Sequence, residues 1–128
     1  MNRFPTTILL ATDGSEDAAQ ATTAAVDIAE RSGSELHLIH VWHDVHTHRA
    51  HAYVKRELQR QGREILDQEV QRIGGMGGTV TRSHLREGRT CEEVIKLGDE
   101  LDAGLLLVGS HGYRGLRRML MGSQSEDI

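Results

Sequence analysis

Gly109-Ser110-His111-Gly112 and, nine residues later, Gly122-Ser123-Gln124-Ser125 are the stretches whose residue types and spacing best fit chemistry on an anion. An aliphatic run, Leu105-Leu106-Leu107-Val108, leads directly into Gly109. Strand, glycine turn and hydroxyls together build an anion cradle. Glycine admits backbone N–H groups to an oxyanion with no Cβ in the way, and Ser123 and Ser125 add hydroxyl donors. The spacing is not that of a P-loop, because no Gly-Lys-Ser/Thr follows four variable residues, nor is it Gly-x-Gly-x-x-Gly. Asp13 ends another apolar run, Thr6 to Thr12. Its carboxylate can accept hydrogen bonds from ligand hydroxyls or cap the helix that follows, and the two roles are compatible.

Other reactive side chains have weaker patterns. His43, His46, His48 and His51 are close enough in sequence to suggest a metal site, but no carboxylate or cysteine completes a convincing ligand set. An exposed histidine-rich loop is the preferred reading, with no metal. Cys91 stands near a predicted helix start and is read as a small core residue rather than an activated thiol. Arg114, Arg117 and Arg118 lie between the two halves of the glycine pattern. They either screen an anion's charge or form a solvated helix face. No serine sits in a nucleophile elbow with histidine and acid partners, so acyl transfer is unsupported.

The elements that must position these residues alternate. Thr6 to Thr12 is rich in aliphatic and β-branched residues with little alternation, which suits a strand buried on both faces. Asp13-Gly14-Ser15 turns into a helix over Ala18 to Arg31, with Ala21, Ala25, Ile28 and Ala29 on one face. Glu35 to Trp42 reads as the second strand. Ala52 to Ile73 is a polar helix with Val54, Leu58, Ile65, Val70 and Ile73 as its expected core stripe, interrupted by Gly62. Thr79 to Leu85 is a third strand, expected at a sheet edge. Thr90 to Leu101 is a helix capped by Thr90, with Val94, Ile95 and Leu97 buried. Leu105 begins the fourth strand. The order β-α-β-α-β-α-β predicts one α/β domain spanning residues 1–128, an open parallel sheet with helices on both faces and right-handed crossovers. In such sheets ligands bind beyond the carboxyl ends of the strands, where strand order reverses. Asp13, Val41 and Gly109 each end a predicted strand.

Bulk composition narrows the function. The chain has 128 residues, 15 basic against 19 acidic, a net charge of −4 and only 3% aromatics. That disfavours general binding to nucleic acid or anionic membranes, and leaves too few rings for base stacking. One cysteine cannot form an intrachain disulfide. No apolar stretch reaches the roughly 20 residues of a membrane span. The N-terminal apolar run is too short for a signal peptide core. A reducing cytoplasm is the expected location.

The segments TTILLATDGSEDA, ELHLIHVW, EGRTCEEVIKL and DAGLLLVGSHGYRGLRRMLMGS, in that order, resemble the universal stress protein family, in its ATP-binding form. Gly-x2-Gly-x9-Gly-Ser, from Gly109 to Ser123, is the most specific part of the resemblance. It implies a Rossmann-like domain that binds an adenine nucleotide, ATP with or without magnesium, and a regulatory role in the stress response. It assigns ribose to Asp13, adenine to the backbone around Val41, and the phosphates to Gly109, Ser110, His111, Gly112, Gly122, Ser123 and Ser125. It implies no catalytic residue and a homodimer. The family continues past Gly-Ser with a helix and a fifth apolar strand used in dimer pairing, whereas this chain stops at Ile128. The expectation is therefore a weakened phosphate site and an unpaired apolar edge on the fourth strand. Two other function classes stand beside the regulator: a slow ATP hydrolase, for which only His111 is available as a polarising group, and an interaction module that binds no nucleotide.

Overall fold

The structure, a computed structural model, describes residues 7–43, 51–109 and 117–121. The elements run β1 (Thr7–Ala11), α1 (Glu16–Ser32), β2 (Glu35–Trp42), α2 (His51–Gly75), β3 (Arg82–Glu87), α3 (Thr90–Leu101), β4 (Leu105–Gly109) and β5 (Arg117–Met121). They form one sheet in the order β3-β2-β1-β4-β5. The first four strands are parallel, and β5 runs antiparallel to β4.

Each apolar run is explained by the two faces it must satisfy. Ile8 and Leu10 of β1 face a layer made by α1 and α2, with Leu36, Leu38, Leu105 and Leu107 from the flanking strands. Leu9 and Ala11 face α3, with Ile39, Leu106, Val94 and Leu97. A central strand covered on both sides has no polar face to display, so its sequence does not alternate. The chain steps outward from β1 to β2 to β3 using α1 and α2 on one face. It then crosses back over the other face through α3 to reach β4, beside β1. That reversal puts the switch point between β1 and β4.

The first helix starts where Ser15 Oγ accepts from Ala18 N–H, and it ends at Gly33, whose φ of 72° is the left-handed conformation that favours glycine. Several expectations are corrected by packing. On α2, Gly62, Leu66, Glu69 and Ile73 turn inward, while Val70 is exposed and Val54, Leu58 and Ile65 are half-buried. Gly62 does not interrupt the helix. A Cβ there would lie 2.6 Å from Leu85 Cδ1 and 3.1 Å from His40 Cδ2, so its missing side chain is the space in which β2 and β3 approach. On α3, the inward residues are Val94, Leu97 and Gly98, and Ile95 lies off that face, about half exposed. Arg89, not Thr90, occupies the capping position, and no side chain bonds there. Cys91 is exposed rather than part of the core.

The third strand lies at the sheet edge as expected but begins later, at Arg82. Pairing with β2 starts only at His37↔Arg82, after Thr81 N–H bonds Leu36 C=O at 2.7 Å. Val80, expected within the strand, packs instead against the α1–α2 layer. The edge of β4 expected to stand unpaired is covered. Leu105 through Gly109 pair with Met121 through Arg117. An edge strand's free N–H and C=O groups gain hydrogen bonds by recruiting nearby chain, and here the recruited segment includes Arg117 and Arg118. Those two arginines therefore belong to a strand and not to a helix face. Among the described residues, no helix is long and apolar enough to cross a membrane.

Candidate functional site

The loop after β1 is held by hydrogen bonds within itself and to β2. Thr12 is 4% exposed, and each of its polar groups is engaged. Its N–H donates to Ile39 C=O at 3.0 Å. Its C=O accepts from His40 Nδ1 at 2.9 Å. Its Oγ1 accepts from Gly14 N–H at 3.1 Å. Asp13 is exposed, and its Oδ1 accepts from Ser15 N–H at 2.9 Å. Gly14 has φ 81°, and an added Cβ would be 3.3 Å from Ile65 of α2. This position needs glycine twice over, for its backbone conformation and for its neighbour. Asp13 thus tightens the turn that starts α1 while its carboxylate stands at the surface.

The tertiary structure brings three of the candidate residues to one end of the sheet. The last registered pair of β1 and β4 is Ala11↔Val108, so Gly109 follows directly and Asp13 two residues on, at the ends of neighbouring strands at the switch point. Ala11 also pairs with Ile39, two residues before Val41. Val41 is half-buried, packed against the α3-side core. Ser110, His111, Gly112, Gly122, Ser123 and Ser125 lie outside the described residues, as does Arg114.

Val41 pairs with Arg86 of β3. Arg86 Nη2 donates to Glu100 of α3 at 2.9 Å, and its Nη1 is 3.6 Å from Glu93. The hydrogen bond from Arg86 holds the Glu100 carboxyl below its ordinary range and raises the guanidinium in turn. These ion pairs fasten α3 to the edge strand.

Two residues of this site carry no motif in the sequence. Thr12 reads as the end of a strand, and His40 as one of several histidines. Only the pairing of β1 with β2 shows that His40 reaches Thr12. Of the histidine-rich stretch, His43 is exposed, His51 opens α2, and His46 and His48 lie outside the described residues. Among the described residues no cluster of three or more His, Cys, Asp or Glu is suited to a metal ion. A groove of about 460 Å³ lies between α2 and the start of β3, lined by Asp67, Val70, Gln71, Val80, Arg82 and Ser83. It is at the opposite end of β3 from the Val41–Arg86 pair.

Residues 5–128 match the sequence profile of the universal stress protein family. This chain belongs to that family. It is 27% identical over 133 residues to universal stress protein YxiE of Bacillus subtilis, covering 94% of this chain and 89% of the relative. The fold is shared with a universal stress protein family member from Burkholderia pseudomallei, at TM-score 0.72 and 25% identity, over 84% of this chain and 83% of the other. It is also shared with a universal stress protein in complex with cAMP, at TM-score 0.60 and 24% identity, over 80% and 70%. The universal stress protein fold is the Rossmann-like α/β arrangement seen here, with four parallel strands and helices on both faces.

Proposed function

We propose that this universal stress protein binds an adenine nucleotide, ATP foremost, across the carboxyl ends of β2, β1 and β4. Nucleotide occupancy then regulates its conformation or its choice of partner. The observation that carries the reading is the position of Asp13 on a tight, fully bonded turn at the β1–β4 switch point, next to the strand that ends in Gly109. A surface carboxylate there accepts from ribose hydroxyls. The backbone at Val41 offers amide and carbonyl groups to an adenine edge. Gly109 begins the glycine pattern that, with Ser110, His111, Gly112, Gly122, Ser123 and Ser125, supplies N–H and O–H donors to phosphate oxygens. The cAMP complex of a structural neighbour supports the choice of an adenine nucleotide. A homodimer and a cytoplasmic location belong to the same reading.

Mass spectrometry of ligand released from the purified, denatured chain tests the nucleotide class. Calorimetric titration with ATP and with its 2′,3′-dideoxy analogue tests the ribose assignment. Asp13→Ala should lose about 1.5–3 kcal/mol toward ATP, the usual worth of a hydrogen bond to a charged group, and much less toward the dideoxy analogue. Equal losses for both ligands would remove Asp13 from the ribose. No binding of any adenine nucleotide by the unaltered chain would remove the function.

A further inference from the structure

The Thr12 carbonyl and the Asp13 N–H belong to one peptide plane. Whatever holds that carbonyl sets the direction in which the chain leaves β1, and so the place from which Asp13 projects. The holder is the His40 ring, Nδ1 to Thr12 O at 2.9 Å, joining positions 28 apart in sequence. A carbonyl oxygen only accepts, so the proton must be on Nδ1, and the neutral ring is fixed as the Nδ1–H tautomer.

The ring is itself held. The slot beneath it exists because α2 carries glycine at 62, where a Cβ would come 3.1 Å from His40 Cδ2 and 3.7 Å from Nε2. One turn along the same helix, Ile65 lies against Gly14 of the turn. Helix α2 therefore supports both the clamping ring and the loop it clamps. The remaining groups of Thr12 are tied to β2 and to Gly14, so His40 completes the fixation of the turn.

We propose that His40 is a positioning residue for the nucleotide site: its Nδ1–H holds the Thr12–Asp13 peptide in the orientation that presents Asp13 to ribose. This rests on the adenine-nucleotide reading for its ligand, and on the hydrogen bond alone for its effect on the turn. It makes His40→Asn and His40→Leu very different changes. The Asn amide nitrogen takes nearly the place of Nδ1 and can donate to the same carbonyl, whereas Leu fills the slot and leaves the carbonyl without that donor.

Three measurements on the full chain test it. Long-range ¹⁵N–¹H correlation on the ligand-free protein should show His40 as the Nδ1–H tautomer; an Nε2–H tautomer overturns the inference without any substitution. Amide exchange of Gly14 and Ser15, again without ligand, should quicken in His40→Leu and stay close to the unaltered rate in His40→Asn. ATP affinity should fall about tenfold in His40→Leu, the equilibrium factor of one such hydrogen bond, and be largely rescued in His40→Asn. Equal affinity and equal exchange in all three proteins would overturn the role of His40, as would equal losses in both variants. Failure of the unaltered chain to bind ATP, with the tautomer and exchange as expected, would instead overturn the nucleotide reading and leave His40 as the clamp of the turn.

Discussion

His37 Nδ1 and His84 Nε2 stand 3.1 Å apart across the β2–β3 edge, with ring centres 5.4 Å apart and planes inclined by only 21°. The centre-to-centre distance equals the nitrogen separation plus the two ring radii. The rings therefore meet edge to edge, nitrogen facing nitrogen, and one of the two nitrogens donates to the other. The other His37 nitrogen, Nε2, reaches Glu35 Oε1 at 3.3 Å, so carboxylate, imidazole and imidazole form one chain along the α3 face of the sheet edge.

This chain should make stability depend on pH. Burial, followed by the proximity of His37, Arg82 and Arg86, holds His84 below the ordinary histidine value of 6.5, with Glu100 opposing weakly. Between 6.5 and that lower folded value, the unfolded chain binds more protons at this residue than the folded chain. Its contribution to stability is thus complete above the ordinary value, is lost as pH falls toward the folded value, and changes no further below it. Urea melts from about pH 8 to about pH 5 should show this decline. His84→Gln should flatten it. An unchanged pH slope in that variant would assign the dependence to other groups.

Thr22 and Glu69 join α1 to α2 in the interior, both under 5% exposed. The Thr22 hydroxyl bonds Glu69 Oε2, while Arg72 Nε is 3.9 Å from the other oxygen. Thr22→Val removes a donor from a buried carboxylate and should destabilise by about 1–3 kcal/mol. Combining it with Glu69→Leu should recover much of that loss, because no polar atom is then left without its partner. Chemical denaturation of the two singles and the double checks the sign of the coupling.

Gly98 sits where α3 crosses β4, and a Cβ there would be 2.8 Å from Leu106 Cδ2 in the core. Gly98→Ala gains about 1 kcal/mol of helix propensity against about 1–3 kcal/mol of overpacking. The net expectation is a modest destabilisation. Leu106→Val alone should also destabilise, yet the pair should lose less than the sum of the singles, since the shortened side chain admits the new methyl. Additive losses in thermal melts would show that the two sites do not touch.

Nucleotide binding should appear as stability. ATP present at about a hundred times its Kd should raise the unfolding free energy by about 2.7 kcal/mol. The same ATP concentration should raise it less in Asp13→Ala, whose Kd is higher. Thermal melts with and without ATP provide the measurement. An equal gain in both proteins would count against Asp13.

The sequence by itself determined the kinds and order of the elements, because those depend on local patterning. Alternating aliphatic runs and amphipathic stretches defined four parallel strands and three helices. Glu35–Trp42 and Thr90–Leu101 were legible to their end residues, since charged and turn residues bound them on both sides. The glycine pattern and family resemblance were legible too, being contiguous. Which side of α2 turns inward was not, because Gly62 and Glu69 are buried by a close approach to β2 and β3 and by a threonine from α1, and neither residue is apolar. Pairing of Arg117–Met121 with β4 was likewise decided by an open sheet edge rather than by propensity. The juxtaposition of Asp13 with Gly109, the clamp of His40 on Thr12 and the facing rings of His37 and His84 all follow from the crossover that sets strand order. Only the tertiary structure could place those residues together, because strand register fixes neighbours across the sheet while the local sequence fixes them only along the chain.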